Sequence, residues 1–232
     1  MALLLCIDTA TEYAGICISD GTNVQGAEES RDQKNHGSFV QPAIHALCKR
    51  LNISISRPDA IAVSAGPGSY TGLRVGLSTA KGLCYALQKP LIMINTLDVM
   101  AYAAKLETQN RNFETGNLLF CPMIDARRIE VFTALYDDGL KYLSKPAALV
   151  LTDIMPGFFP CRKKIVFSGS GSRKFKKISN DENFYFIESE HTVHHLAALA
   201  IKAFEQKQFA NLAYSEPYYV KEFFSAAHSM KN

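Results

Sequence analysis

The two halves of this chain carry the same order of elements, and that repetition restricts the fold more than any other feature. In the first half, Leu3–Ile7 reads as a buried strand. Tyr13–Ser19 reads as a second, ending at the hairpin pair Asp20-Gly21, and Val24–Glu28 as a returning third. Phe39, Val40, Ile44, Leu47, Cys48 and Leu51 follow at helical spacing, with Pro42 inside the pattern as a start or a kink. Then come a strand (Ala60–Ala65), a glycine-dense turn, a helix to about Leu87, a strand (Leu91–Ile94) and a helix from about Leu97 to Leu106. The second half repeats the opening. Leu118–Ile124 is a strand ending at Asp125, Val131–Tyr136 a second ending at Asp138-Gly139, and Tyr142–Val150 a third. Ile165–Ser168 then enters Gly169-Ser170-Gly171, and a last helix covers Val193–Lys207. Cys6-Ile7-Asp8 thus aligns with Met123-Ile124-Asp125. The order predicts a duplicated α/β fold of two lobes. The lobes are expected at residues 1–107 and 108–232, with the boundary in the polar stretch Lys105–Glu114.

Composition narrows the class. The chain's 232 residues are enough to bury a core, and a net charge of +3 is too small to demand a nucleic-acid or membrane partner. No apolar run reaches the length of a membrane span. Met1–Ile7 lacks the basic flank and small-residue cleavage site of a signal peptide. Six cysteines stand singly with no CxxC pair, which fits reduced thiols in a cytoplasmic protein.

Chemistry concentrates in the turn Gly66-Pro67-Gly68-Ser69-Tyr70-Thr71-Gly72. A glycine-dense turn between strand and helix can present backbone N–H groups to an anion, or it can simply turn. No Gly-Lys-Ser/Thr follows, which excludes a Walker A loop, and the glycine spacing misses the dinucleotide fingerprint by one residue. Arg74 lies in the first turn of the helix, where the macrodipole disfavours a cation, so an anion or a partner's carboxylate would compensate. Gly72, Gly76 and Ala80 form one row of small residues; Ser78, Gly82 and Ala86 form another. Such rows permit close approach of a backbone, either the chain's own sheet or another chain's helix. On the second reading the interface comprises Gly68, Ser69, Tyr70, Thr71, Gly72, Arg74, Gly76 and Ala80 with parts of the Ser38–Leu51 helix, and Gly76→Arg blocks pairing while leaving the monomer folded.

Asp8, Thr9 and Thr11, with Gly169 and Gly171, are the candidates for holding phosphate and hydrated Mg²⁺, against a plain Asx or Ser/Thr turn. In the second half, Arg127 and Arg128 stand where a phosphate-approaching glycine would help. His191, His194 and His195 fail the HExxH zinc signature, because Thr192 replaces the glutamate, and are expected to form a surface cluster. Arg173-Lys174-Phe175-Lys176-Lys177 is either a solvated helix face or a contact for RNA phosphates. No nucleophile constellation is present.

Ile7-Asp8-Thr9-Ala10-Thr11, the block Ala65–Gly76 running into Ala80-Lys81-Gly82-Leu83, Ile124–Arg128 with Glu130-Val131-Phe132, and Pro217-Tyr218-Tyr219-Val220-Lys221 together resemble the TsaB (YeaZ) family. The resemblance implies an actin-like (ASKHA, ribonuclease H-like) fold. It also implies a non-catalytic role in threonylcarbamoyl transfer to adenosine 37 of tRNA, through binding the catalytic relative TsaD. TsaE is the implied third partner, tRNA is met through the complex, and a homodimer forms when TsaD is absent. TsaD holds a metal through an HxxxH pair, and Thr96 and Met100 stand at those two positions here. Neither replaces an imidazole. The resemblance therefore implies no metal, no cofactor and a vestigial nucleotide site. Two rivals remain: a stand-alone actin-like ATPase or small-molecule kinase using Asp8, Thr11 and Gly169–Gly171, and a metallopeptidase.

Overall fold

Alternation along the first strand decides how the first lobe is layered. The computed structural model describes residues 1–32, 35–111, 113, 118–152, 158–160 and 163–220. In β1 (Leu3–Asp8), Leu4 and Cys6 point to one side and Leu5 and Ile7 to the other. A strand apolar on both faces needs a layer on each. It lies at the centre of a five-stranded sheet ordered β3-β2-β1-β4-β5, completed by β2 (Ala14–Asp20), β3 (Asn23–Ser30), β4 (Ala60–Gly66) and β5 (Leu91–Asn95). β1 and β2 pair antiparallel, and β2 returns into β3 around the Asp20-Gly21 turn, where Gly21 takes φ +60°. β4 joins β1 in parallel, with Ile7 opposite Val63.

Leu5 and Ile7 pack under α1 (His36–Leu51) and α2 (Tyr70–Leu87). α1 contains Pro42 rather than starting at it. Leu4 and Cys6 pack under α5 (Val193–Glu205), through Val193, Leu196, Ala197, Ala200 and Ile201. α5, the last helix among the described residues, therefore covers the first sheet. A division at residue 107 separates α5 from the strands it buries.

The second lobe repeats the pattern with β6 (Leu119–Asp125), β7 (Glu130–Tyr136), β8 (Tyr142–Val150), β9 (Ile165–Ser168) and β10 (Phe184–Phe186), ordered β8-β7-β6-β9-β10. Its pairing directions match the first lobe strand for strand. Two mixed sheets of one strand order with flanking helices, one in each lobe, make this an actin-like fold. β10 was not expected, because three residues carry too little periodicity to read. α4 (Ser172–Lys176) is the basic run, pinned by fully buried Phe175 with Arg173, Lys176 and Lys177 left in solvent.

α3 (Thr96–Asn110) joins the lobes. Val99 packs in the first core, and Met100, Ala101 and Ala104 in the second. The helix continues through the polar residues expected at the boundary, supported by buried Thr108 and an Arg111–Glu107 ion pair at 2.6 Å. Glu114, at the far end of that stretch, lies outside the described residues.

Near its start, α3 is tied to the second sheet by Asp98. The hydroxyl of buried Tyr136 donates to its Oδ1 at 2.7 Å, and the Tyr142 hydroxyl donates to the same atom. Burial raises the Asp98 carboxyl above the usual range, while the two tyrosine hydrogen bonds pull it back down. A group raised in the folded state favours folding fully below its unfolded pKa, and that contribution is lost as pH climbs through its folded value. Asp98→Asn keeps an acceptor without the charge. It should match or exceed the wild type in stability at pH 7, and that margin should shrink as pH falls and the wild-type carboxyl takes up its proton. Asp98→Ala leaves the Tyr136 hydroxyl without its acceptor and should cost about 1–3 kcal/mol. Urea melts of the three proteins across pH 4–7 give the comparison; Asp98→Asn falling below Asp98→Ala would contradict this account.

Candidate functional site

The turn after β1 and the glycine turn before α2 fit into each other. Ser69 N–H donates to the Ala10 carbonyl at 2.7 Å, and the Thr9 hydroxyl donates to the Gly72 carbonyl at 2.7 Å. A Cβ on Gly68 would stand 2.0 Å from the Ala10 oxygen, and one on Gly72 would stand 2.1 Å from the Thr9 oxygen. The Ser69 hydroxyl caps α2 by accepting from Gly72 N–H at 3.3 Å. The glycines thus admit residues 9 and 10 of the same chain against the start of α2, where an anion would otherwise approach. The glycines of this loop serve that close fit.

The corresponding turn of the second lobe is closed by a cation. Lys174 Nζ lies 2.6 Å from Asp125 Oδ1 and donates to the Arg128 carbonyl at 2.8 Å. Arg127 and Arg128 take φ +71° and +45°, the left-handed region that favours glycine. Gly169 and Gly171 serve packing: a Cβ on Gly169 would meet the Met100 methyl at 2.3 Å, and one on Gly171 would meet Val131 at 2.8 Å. Met100, at one of the two positions the resemblance assigns to metal histidines, is therefore a core side chain, and Thr96 at the other is fully buried. An ammonium on Asp125, with threonine and methionine in place of imidazoles, does not fit a divalent metal. Among the described residues, no group of three or more His, Cys, Asp or Glu could hold one.

Between the lobes lies a cleft of about 1050 Å³ that brings together Thr11, Gly169 and Ser170 with Arg31, Arg173 and His191. Thr9 and Gly171 do not line it. Asp8 is fully buried; its Oδ1 accepts from Ala10 N–H at 3.1 Å, and its Oδ2 has no hydrogen-bond partner. His191 Nε2, also without a hydrogen bond, lies 3.5 Å from that oxygen. The expectation of a surface histidine cluster is thus corrected. His191 is buried, His195 is half-buried and accepts from Thr192 N–H at 2.9 Å, and His194 alone is exposed. Burial and the neighbouring His191 and His194 lower the His195 pKa. Sequence reasoning missed the placement because residues 8 and 191 meet only through the packing of α5 on β1. Thiol chemistry is disfavoured too: burial pushes Cys84 up to about 11 and Cys121 up to about 12. Cys161 lies outside the described residues.

The outer surface of the first lobe differs from the expected interface. Gly76 and Ala80 turn inward with Gly72, and a Cβ on Gly76 would stand 2.3 Å from the Thr9 hydroxyl. That row is the close fit of α2 on its own sheet, so Gly72, Gly76 and Ala80 are not available to another chain. The outward row of α2 is Thr71, Arg74, Ser78, Gly82, Tyr85 and Ala86, and nothing stands within 4 Å of a Cβ on Gly82. Gly68 and Ser69 belong to the turn, and Tyr70 stacks on Tyr219 at 5.4 Å. The C-terminal signature runs along this helix. Tyr218 N–H donates to the Ala65 carbonyl at 2.7 Å, Arg74 Nε donates to the Tyr219 hydroxyl at 3.1 Å, and Lys81 Nζ donates to the Ser215 carbonyl at 2.9 Å. Lys221 lies outside the described residues.

Residues 28–228 match the family model described as TsaD, tRNA N6-adenosine threonylcarbamoyltransferase. The tRNA threonylcarbamoyladenosine biosynthesis protein TsaB of Bacillus subtilis is 33% identical over 57% of this chain and 54% of its own length. The Escherichia coli protein of that name is 31% identical over 66% and 64%. An uncharacterized Mycobacterium bovis protein is 31% identical over 68% and 69%. The match thus spans about half the length of the Bacillus relative. YeaZ from Pseudomonas aeruginosa superposes with a TM-score of 0.77 at 23% identity, covering 94% of this chain and all of that one. A second structure, described as similar to peptidase YeaZ from that organism, gives 0.79 over 95% of this chain. Two lobes of one topology, the Gly-Pro-Gly-Ser-Tyr-Thr-Gly-Leu-Arg turn folded onto Asp8–Thr11, and these matches place the chain in the TsaB (YeaZ) family.

Proposed function

We propose that this chain is a non-catalytic cytoplasmic subunit that binds a TsaD-type transferase and supports transfer of a threonylcarbamoyl group to adenosine in tRNA. One observation carries the reading. Both turns that would hold nucleotide and metal are filled from within, by residues 9 and 10 against α2 and by Lys174 on Asp125, while the outer row of α2 stays open. A side chain already seated on the carboxylate must be displaced before Mg²⁺ can bind, and its charge opposes the ion. The chain then acts through contact: it binds the catalytic subunit, with a TsaE-type third subunit joining the complex and tRNA met through it.

The test is reconstitution. The purified chain alone should leave tRNA unmodified, should co-elute with the TsaD-type subunit of its host, and should be needed for modification by that subunit. Modification of tRNA by the chain alone would overturn the proposal. Tight, magnesium-dependent ATP binding with turnover in calorimetry would favour the actin-like ATPase or kinase instead.

A further inference from the structure

The basic run of the second lobe does not stand alone. Lys174 ties α4 to the turn between β6 and β7: its Nζ donates to the Arg128 carbonyl at 2.8 Å and lies 2.6 Å from Asp125 Oδ1. The loop before α4 adds a second tie, where Ser170 Oγ accepts from Asp125 N–H at 3.0 Å. One edge of the lobe thus collects Arg127 and Arg128 from the turn and Arg173, Lys176 and Lys177 from α4 and its end, all five exposed. Residues 125–128 and 173–177 hold six cations, Lys174 included, against the one carboxylate of Asp125. Their net positive charge exceeds the +3 of the whole chain.

Little on this edge neutralises it. Lys174 takes up Asp125. Glu188 comes only to 3.9 Å from Arg173, with both side chains mostly in solvent, a pair worth little. Arg127, Arg128, Lys176 and Lys177 have no carboxylate partner among the described residues. Lys176 lies instead 5.9 Å from the centre of the Phe186 ring. Arg127 and Arg128 also sit at positive φ, which glycine would adopt without steric cost. The turn keeps two long cations there at the expense of its own backbone.

The surface suits a polyanion. The five outer cations are exposed on two elements, so they enclose no pocket for a small ion. Arg173, Lys176 and Lys177 line the second-lobe wall of the cleft, and the turn lies beside them. Apolar exposure here is limited to Ile129 and Ile178, at 55% and 48%. Two isolated isoleucines do not make the apolar centre of a protein interface. Phosphates along a strand ask for charge spread over a path, which this edge supplies.

We propose that this edge of the second lobe, Arg127 and Arg128 with Arg173, Lys176 and Lys177, binds the phosphate backbone of RNA directly. Which RNA it is rests on the partner reading above: the complex brings tRNA to the chain, and this edge is where the chain itself touches it. Such contacts position the RNA and read no base.

The probe is a labelled, unmodified tRNA transcript of the same host, titrated with the full chain alone by fluorescence anisotropy from 25 to 300 mM NaCl. The logarithm of affinity should fall with the logarithm of salt by about 0.9 for each phosphate contacted. Arg127→Gly with Arg128→Gly should weaken binding at least fivefold at low salt and reduce that slope by about two. The same variant should melt no lower than wild type, because glycine relieves the turn. Lys176→Gln with Lys177→Gln should weaken binding similarly. Lys145→Gln with Lys207→Gln, exposed cations elsewhere, should stay within twofold of wild type. Failure of the wild type to bind tRNA at 25 mM salt, or binding by either edge variant within twofold of wild type, overturns the proposal and leaves the partner reading intact. Displacement of tRNA by polyglutamate as effective, charge for charge, as by unlabelled tRNA also overturns it and identifies a surface for an acidic protein. Reconstitution that fails while the chain binds tRNA through this edge defeats the partner reading alone.

Discussion

Gly76→Arg will not give a folded chain that merely fails to pair; it will lose the fold. Its first added atom would stand 2.3 Å from the Thr9 hydroxyl and 3.5 Å from Val63, and the guanidinium beyond would have to enter the layer between α2 and β1. The Thr9 hydroxyl cannot step aside without giving up its bond to the Gly72 carbonyl. Overpacking of this kind costs about 1–3 kcal/mol for a few methylene groups. Adding a buried, unpaired charge carries the total beyond about 4 kcal/mol, a large share of a domain's stability. Gly76→Ala tests the same contact gently and should lower the melting temperature while leaving a cooperative transition. Gly82→Arg is the variant that separates pairing from folding. A Cβ there meets nothing within 4 Å, and replacing glycine inside an exposed helix stabilises it by up to about 1 kcal/mol. Gly82→Arg should therefore melt no lower than wild type and fail to co-elute with the TsaD-type subunit. A cooperative melt for Gly76→Arg at the wild-type temperature would show the inward packing to be wrong.

A fragment of residues 1–107 should not fold, and one of residues 1–110 fused by a flexible linker to 188–220 should recover structure. The first sheet needs α5 on the face formed by Leu4, Cys6, Cys17, Ala60 and Ala62. Val193, Leu196 and Ile201 are at most 5% exposed there, and each buried side chain of this kind contributes about 1.5–3 kcal/mol. Their sum rivals the whole stability of an ordinary domain. Circular dichroism and hydrogen exchange on the two fragments decide the matter. Native-like protection of β1 in the 1–107 fragment would show that α5 is dispensable.

These expectations separate what can be read along the chain from what cannot. The order of elements along the chain, its repetition and the Asp20-Gly21 hairpin were legible because alternation and turn residues are local. The family was legible from contiguous blocks, above all the one around Gly68–Arg74. α2 was legible as a helix with two small-residue rows, but which row faces the sheet was not. Both rows suit close approach, and the choice depends on where the Asp8–Thr11 turn lies against the helix. Lys174 on Asp125 joins residues of two different elements, and His191 beside Asp8 joins the two ends of the chain.

The chain order by itself determined the repeated α/β topology and, through its contiguous blocks, the family. Only tertiary packing decided that the glycines of α2 fit its own strand, that an ammonium occupies the second aspartate, and that α5 completes the first lobe. The physical reason is the range of the forces. Backbone preference and hydrophobic period act within a few residues, whereas steric fit and charge pairing act between groups that only the closed fold brings together.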